Sequence, residues 1–289
     1  MEKYVNIMLD KAFKTVFGEK QVAIDFINAT LEGERQVKDL TYKEIQPEVI
    51  EQRTVIFDLL CEDVDGSKFV LEMQNCPQHY FFNRGFYYIC RLVSRQGESG
   101  ADWKYSLLPV YGIYLLNFSL PEFQSWRTDV VLANEATGKT FGEVKLKQIY
   151  LSFDLFNLRE EECKTPLENM VYILKNMNLF DMSPFKEKND AFKRLLDVAN
   201  LNAMTPHERA VYDENLKIYR DWRNTLEYAV EEAEVKGLKK GKIEGIAEGL
   251  AKGKAEGQRQ IAANLKNQGV NIETITLCTG LSVEEINEL

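Results

Sequence analysis

The chain has 289 residues, enough for one full domain with a sizeable core and a smaller appendage, and 45% apolar with 28% charged content excludes disorder as the default. A formal charge of −9 argues against indiscriminate nucleic-acid binding over the whole surface but leaves room for a local basic groove. Five cysteines, odd in number and never in a C-x-x-C pair, with only His79 and His207 beside them, exclude a disulfide framework and a zinc site of the usual spacing.

The N-terminal stretch has an acidic residue at position 2 and no long apolar run, and nothing further on approaches spanning length. A cytoplasmic protein without a membrane partner is therefore expected. "MLDKAFKTVFG" and "EKQVAIDFINATLEG" have apolar residues at helical spacing and end in Gly18 and Gly33, which predicts two helices. "VKDLTYKEI" reads as a strand, residues 54–75 as a hairpin, and "YFFNRGFYYICRLVSRQ" as a helix. "LLPVYGIYLLNFSL" has the apolar content of a covered central strand, and residues 129–153 form a second hairpin turning at Thr137 and Gly138. The expected fold is α/β: a mixed sheet flanked by helices over residues 1–155, followed by an all-helical extension.

That extension divides into a helical region (156–235), a glycine-repeat segment (236–260) and a small helix-turn-helix-like tail (261–289). In the repeat, Gly237, Gly241, Gly245, Gly249, Gly253 and Gly257 recur at every fourth position. As a helix this would cost roughly 5 kcal/mol relative to alanine, which needs outside compensation. Self-association through the glycine ridge and a loosely ordered linker both fit the composition. The tail has Gly269 and Gly280 at its turns and a Ser282/Glu285 capping box, yet residues 270–289 contain no Lys or Arg. A helical cap or partner-binding tail suits it better than base-reading of DNA.

The hairpin "VIFDLLCEDVDGSKFVLEMQNC" carries acids inside its strands. A two-residue Asp65-Gly66 loop would send Asp58 and Glu72 to opposite faces. A three-residue Val64-Asp65-Gly66 loop with a left-handed Gly66 pairs them directly. It also sorts Val55, Phe57, Leu59, Phe69, Leu71 and Met73 to one face and Asp58, Glu72 and Gln74 to the other. This register is the one expected. Opposed like charges repel, so a shared proton, a nearby cationic side chain or a divalent metal ion must offset them. On the next helix, Arg84, Tyr88, Arg91 and Arg95 fall on one face and Phe82, Phe86, Ile89 and Val93 on another. The arginines are either a solvated face or a phosphate-positioning surface. Tyr80, Phe81, Phe82, Tyr87 and Tyr88 read as core, and His79 has no assigned role in catalysis. Asp10 and Lys14 form an i,i+4 pair on the first helix.

An Asp, a short hairpin, and a Glu-x-Lys variant, preceded by a helix and followed by a helix and a strand, resemble the PD-(D/E)xK nuclease core. More narrowly, "LDKAFKTVFG", "FDLLCEDVDGSKFVLEMQ", "FFNRGFYYICRLVSRQ" and "LLPVYGIYLLNF", in that order, are similar to the recombination-promoting nuclease and transposase family, over roughly residues 4–155. The resemblance implies a restriction-endonuclease-like fold. It also implies DNA as partner, with Mg²⁺ or Mn²⁺ held by Asp58, Glu72 and the Met73 carbonyl. Gln74 stands where the wider superfamily has Lys, which leaves an amide to orient water but no charge. Arg84, Tyr88, Arg91 and Arg95 become nucleic-acid contacts, and Asp10 and Lys14 accessory residues of the cleft. The implied activity is metal-dependent DNA endonuclease, hydrolysing phosphodiesters in recombination or transposition, in a homo-oligomer joined through the glycine repeat. The alternative is a weak or inactive nuclease fold serving as an oligomeric DNA-binding or regulatory module.

Overall fold

A computed structural model describes residues 2–43, 58–97, 106–140, 146–180 and 189–289. Two compact units are present, Met1–Lys217 and Ile218–Leu289. The first is built on a six-stranded sheet of β1 (Leu40–Tyr42), β2 (Leu59–Asp63), β3 (Lys68–Gln74), β4 (Val110–Leu116), β5 (Arg127–Val131) and β6 (Leu146–Ser152), in the order β1-β2-β3-β4-β6-β5. The run β1-β2-β3 is antiparallel, β4 is parallel to both β3 and β6, and β5 closes the far edge antiparallel to β6. Every residue of β4 is buried, as its continuous apolar run requires of a strand flanked on both sides. The parallel β3–β4 step needs a crossover, and α3 (Phe81–Ser94) supplies it.

Helices α1 (Asp10–Gly18) and α2 (Lys20–Thr30) form where the apolar spacing predicts them, with Glu19 capping α2 through its carboxylate and the Phe17 ring 4.9 Å from those of both Phe13 and Phe26. Gly33 takes a left-handed φ of 78° after α2, while Gly18 is simply the last residue of α1. Helices α4 (Pro166–Asn176) and α5 (Asp190–Val198) pack on α2 and α1, and Arg194 pairs with Asp25 at 2.6 Å. The boundary expected at residue 155 therefore does not divide two bodies. The helices beyond it cover the amphipathic N-terminal pair, which would otherwise leave an apolar face uncovered.

The long helix α6 (Pro206–Asn267) begins in this unit, where the Asn6 N–H donates to Tyr212 Oη, and continues into the second. The glycine repeat lies wholly within it as regular helix. The second unit ends in α7 (Ile272–Thr279) and α8 (Val283–Asn287), packed with the end of α6 around Ala262, Ile275, Leu281 and Ile286. Gly280 provides the left-handed cap and Ser282 the capping box expected there. Among the described residues, no helix is long and apolar enough to cross a membrane.

Candidate active site

The β2–β3 hairpin has the three-residue loop. The Asp63 N–H donates to the Ser67 carbonyl, the Gly66 N–H to the Asp63 carbonyl, and Gly66 has a φ of 84°. The register runs Leu59↔Leu71, Leu60↔Val70, Cys61↔Phe69, Glu62↔Lys68. Continued by one residue, it sets Asp58 opposite Glu72 at a non-hydrogen-bonded pair, where facing side chains come closest. Strand β2 starts at Leu59, and Val55 and Phe57 lie outside the described residues. The Met73 N–H donates to the Asp58 carboxylate at 3.0 Å. Because N–H and C=O of one strand residue point to the same side, the Met73 carbonyl shares that edge.

The face bearing the acids is not the solvent side of the sheet. Leu60 and Val70 on that face pack with Ile89 and Leu92 of α3, and Glu72 is only 4% exposed. Burial pushes the Glu72 carboxyl up to about 8, with the Asp58 charge adding to the rise, while Arg84 and a hydrogen bond from Gln74 pull the other way. Asp58 is raised too, first by burial and then by Asp10. The Met73 hydrogen bond, Lys14 and Arg84 oppose that rise. Asp58, Glu72, Gln74, Arg84, Asp10 and Lys14 therefore share one electrostatic neighbourhood. Lys14 pairs with Asp10 at 2.8 Å, on a helix that touches β2.

The arginine face needs correction. The buried stripe of α3 is Phe81, Gly85, Ile89 and Leu92, so the arginines flank it rather than oppose it. Arg84 and Arg91 are half-buried, Tyr88 packs against the Leu60–Val70 cluster, and Arg95 is exposed. Phe86, Tyr80 and Tyr87, expected to pack, are exposed instead. Gly85 lies on the buried side, where an added Cβ would come 3.2 Å from the Tyr114 hydroxyl.

Two tyrosines were missed. Glu72, Tyr114 and Tyr150 are register neighbours across β3, β4 and β6, and the two rings stack at 4.9 Å. Tyr150 Oη donates to Gln148 Oε1 at 3.1 Å. A Cβ on Gly112 would sit 2.7 Å from the Tyr114 ring, and one on Gly85 would sit 3.2 Å from its hydroxyl. The two glycines inside a strand and a helix were the available signal, since an isolated Gly there often marks a close approach. Both rings lie on the register row of Glu72, and burial first, then the Glu72 charge, raises both tyrosines.

Two carboxylates and a carbonyl form a hard-oxygen set whose raised proton affinities leave a positive ion as a natural counter-charge, so the residues fit a divalent cation in chemistry. Among the described residues, no group of three or more His, Cys, Asp and Glu side chains converges, so such an ion would need water or substrate oxygens as well.

A family model described as a PD-(D/E)XK nuclease family transposase matches residues 7–229. That span includes the hairpin, α3 and the Asp10–Lys14 pair, and stops short of the glycine repeat. No curated protein and no solved structure matches the chain.

Proposed function

The chain belongs to the PD-(D/E)XK nuclease family of transposases, and on that premise we propose that it is a divalent-metal-dependent DNA endonuclease acting in recombination or transposition. The observation that carries the reading is the pinning of Asp58 beside buried Glu72 by the Met73 N–H. Asp58, Glu72 and the Met73 carbonyl would hold Mg²⁺ or Mn²⁺. Such an ion supplies Lewis acidity to the scissile phosphate and to the attacking water. Gln74, hydrogen-bonded to Glu72, orients that water through its amide and brings no charge of its own. Arg84 adds positive potential at the acids, and with Tyr88, Arg91 and Arg95 contacts the DNA backbone without reading bases. The Asp10–Lys14 pair tunes Asp58 from the neighbouring helix. Assembly through the glycine-bearing part of α6 and a cytoplasmic location belong to the same reading.

Plasmid cleavage by the purified chain with Mg²⁺ or Mn²⁺, compared with Asp58→Ala, is the test. Wild type that cuts no better than the variant under either ion defeats the enzyme reading. Gln74 in place of a lysine favours one rival, a nuclease fold retained as a DNA-binding or regulatory module. DNA binding that persists in EDTA without cleavage is its signature.

A further inference from the structure

Residues 220–256 of α6 are exposed on every side in one chain, although five of the six repeat glycines weaken the helix there. A Cβ built on any of those glycines meets nothing within 4 Å. The glycine row drifts around the helix, since a four-residue step overshoots one turn by about 40°. A different row drifts far less, by about 20° per heptad, which a left-handed supercoil takes up. From Tyr219, steps of three and four residues alternate without a break through Trp222, Leu226, Ile243 and Leu250 to Ile261. Ala229, Ala233 and Ala247 fall on the same seam, with lysines at 236, 240 and 254 and Gly257 as the other members. The row has the 3-4 spacing of a coiled-coil seam, interrupted by its three lysines and Gly257. It is uncovered, with Ile243 70% and Leu250 71% exposed.

Charge along the same stretch is divided into two blocks. Glu227, Glu231, Glu232 and Glu234 occur with no Lys or Arg among them, and Lys236, Lys239, Lys240 and Lys242 follow with no acid among them. The block boundary sits at Val235, so the segment is complementary to itself when reversed.

We propose that α6 pairs with a second copy of this chain as an antiparallel two-stranded coiled coil centred between Glu234 and Val235. In that alignment Leu226 faces Ile243 of the second copy, Trp222 faces Ala247, and Tyr219 faces Leu250. The core lysines Lys236 and Lys240 face the small Ala233 and Ala229 beside the second copy's acidic block. The flanking positions also agree: Glu232 lies against Lys239 of the second copy, and Arg223 against Glu244. Shifting the register one heptad either way sets Lys236 against Lys240 and Lys239 against itself, or Glu232 against itself. A parallel in-register pair sets each of the core lysines Lys236, Lys240 and Lys254 against its own copy, and offers only Lys239 against Glu244 of the second copy in return. Within one chain Glu232 bonds Lys236 at 2.7 Å and Arg223 bonds Glu227 at 2.7 Å. These exposed i,i+4 pairs are weak enough to be shared with a second helix.

The proposal deepens the assembly reading above by naming the face and direction of pairing. Sedimentation equilibrium on the full chain, with helicity followed by circular dichroism, tests it. Glu232→Lys and Lys239→Glu should each weaken dimerisation by at least about tenfold, and the double exchange should return it to within about threefold of wild type. A dimer that the double exchange fails to restore, while helicity is kept, overturns the antiparallel pairing and leaves assembly by another face intact. A wild-type chain that stays monomeric at tens of micromolar overturns pairing and assembly together. Neither outcome bears on DNA cleavage, which is measured separately.

Discussion

The backbone N–H of Met73 donates to the carboxylate of Asp58 at 3.0 Å, so the residue entering β2 is tied to the strand that carries Glu72. The same bond separates two consequences of mutating Asp58. Asp58→Asn keeps an oxygen for the Met73 N–H and loses only the charge. Asp58→Ala also strands that N–H, a cost of about 1–3 kcal/mol when the group is buried. Both variants should lose at least about 100-fold in DNA cleavage. Only Asp58→Ala should show a clearly lowered urea midpoint, and equal midpoints for the two would show that the hydrogen bond is not holding the strand entry.

Glu72 sets a pH dependence. Its folded-state value of about 8 lies above the ordinary carboxylate range, so in metal-free protein its contribution to stability is fully present below the unfolded value. It is lost as pH rises through about 8, and the rise on Asp58 acts in the same sense. Glu72→Gln should therefore gain on wild type, by on the order of a few kcal/mol, as pH climbs from about 4.5 to about 8. Divalent-ion binding runs the opposite way, because it needs the deprotonated acid. Affinity for Mn²⁺ measured by calorimetry should strengthen by up to about tenfold per pH unit over the upper part of that window, with proton release. A flat affinity profile would remove Glu72 from the proposed ligand set.

Gln74 brings a hydrogen bond but no charge to Glu72. Gln74→Lys places an ammonium beside Glu72 and should lower the Glu72 titration by a unit or more. Cleavage should then rise by about tenfold, since the added charge acts where the phosphate develops negative charge. Single-turnover rates across pH for wild type, Gln74→Lys and Gln74→Ala read both effects. A lysine variant no faster than the alanine variant would mean that position 74 does not face the reacting atoms.

The packing of Tyr114 predicts a stability effect away from the acids. Gly112→Ala puts a methyl 2.7 Å from the Tyr114 ring, in a strand with no exposed residue to give way. A loss of about 1–3 kcal/mol is expected in chemical denaturation. If Tyr114 moves to relieve the clash, water reaches Glu72 and its titration drops toward the ordinary range. Unchanged stability and titration together would show that the ring is free to shift without uncovering the acid.

Legibility followed the range of the interactions involved. The hairpin register could be read from residues 58–74 because strand periodicity and the left-handed demand on Gly66 are local, and only one loop length puts Asp58 with Glu72. Helices α1 and α2, the central place of β4 and the caps of the tail were legible for the same reason. The face of α3 was not. Spacing allowed a stripe through Phe82 and Phe86, whereas Phe81, Gly85 and Ile89 are the buried ones, packed on strand residues far away in the chain such as Tyr114, 29 residues from Gly85.

Sequence alone therefore determined which residues could form the acidic pair and on which elements they sit, since period, turn chemistry and capping act over a few residues. Tertiary structure decided that Glu72 is buried rather than solvated, that Arg84 lies within the field of both acids, and that α4 and α5 close over α1 and α2. Those outcomes depend on desolvation and on packing between segments far apart in the chain, and no local pattern encodes how much water is left around a carboxylate.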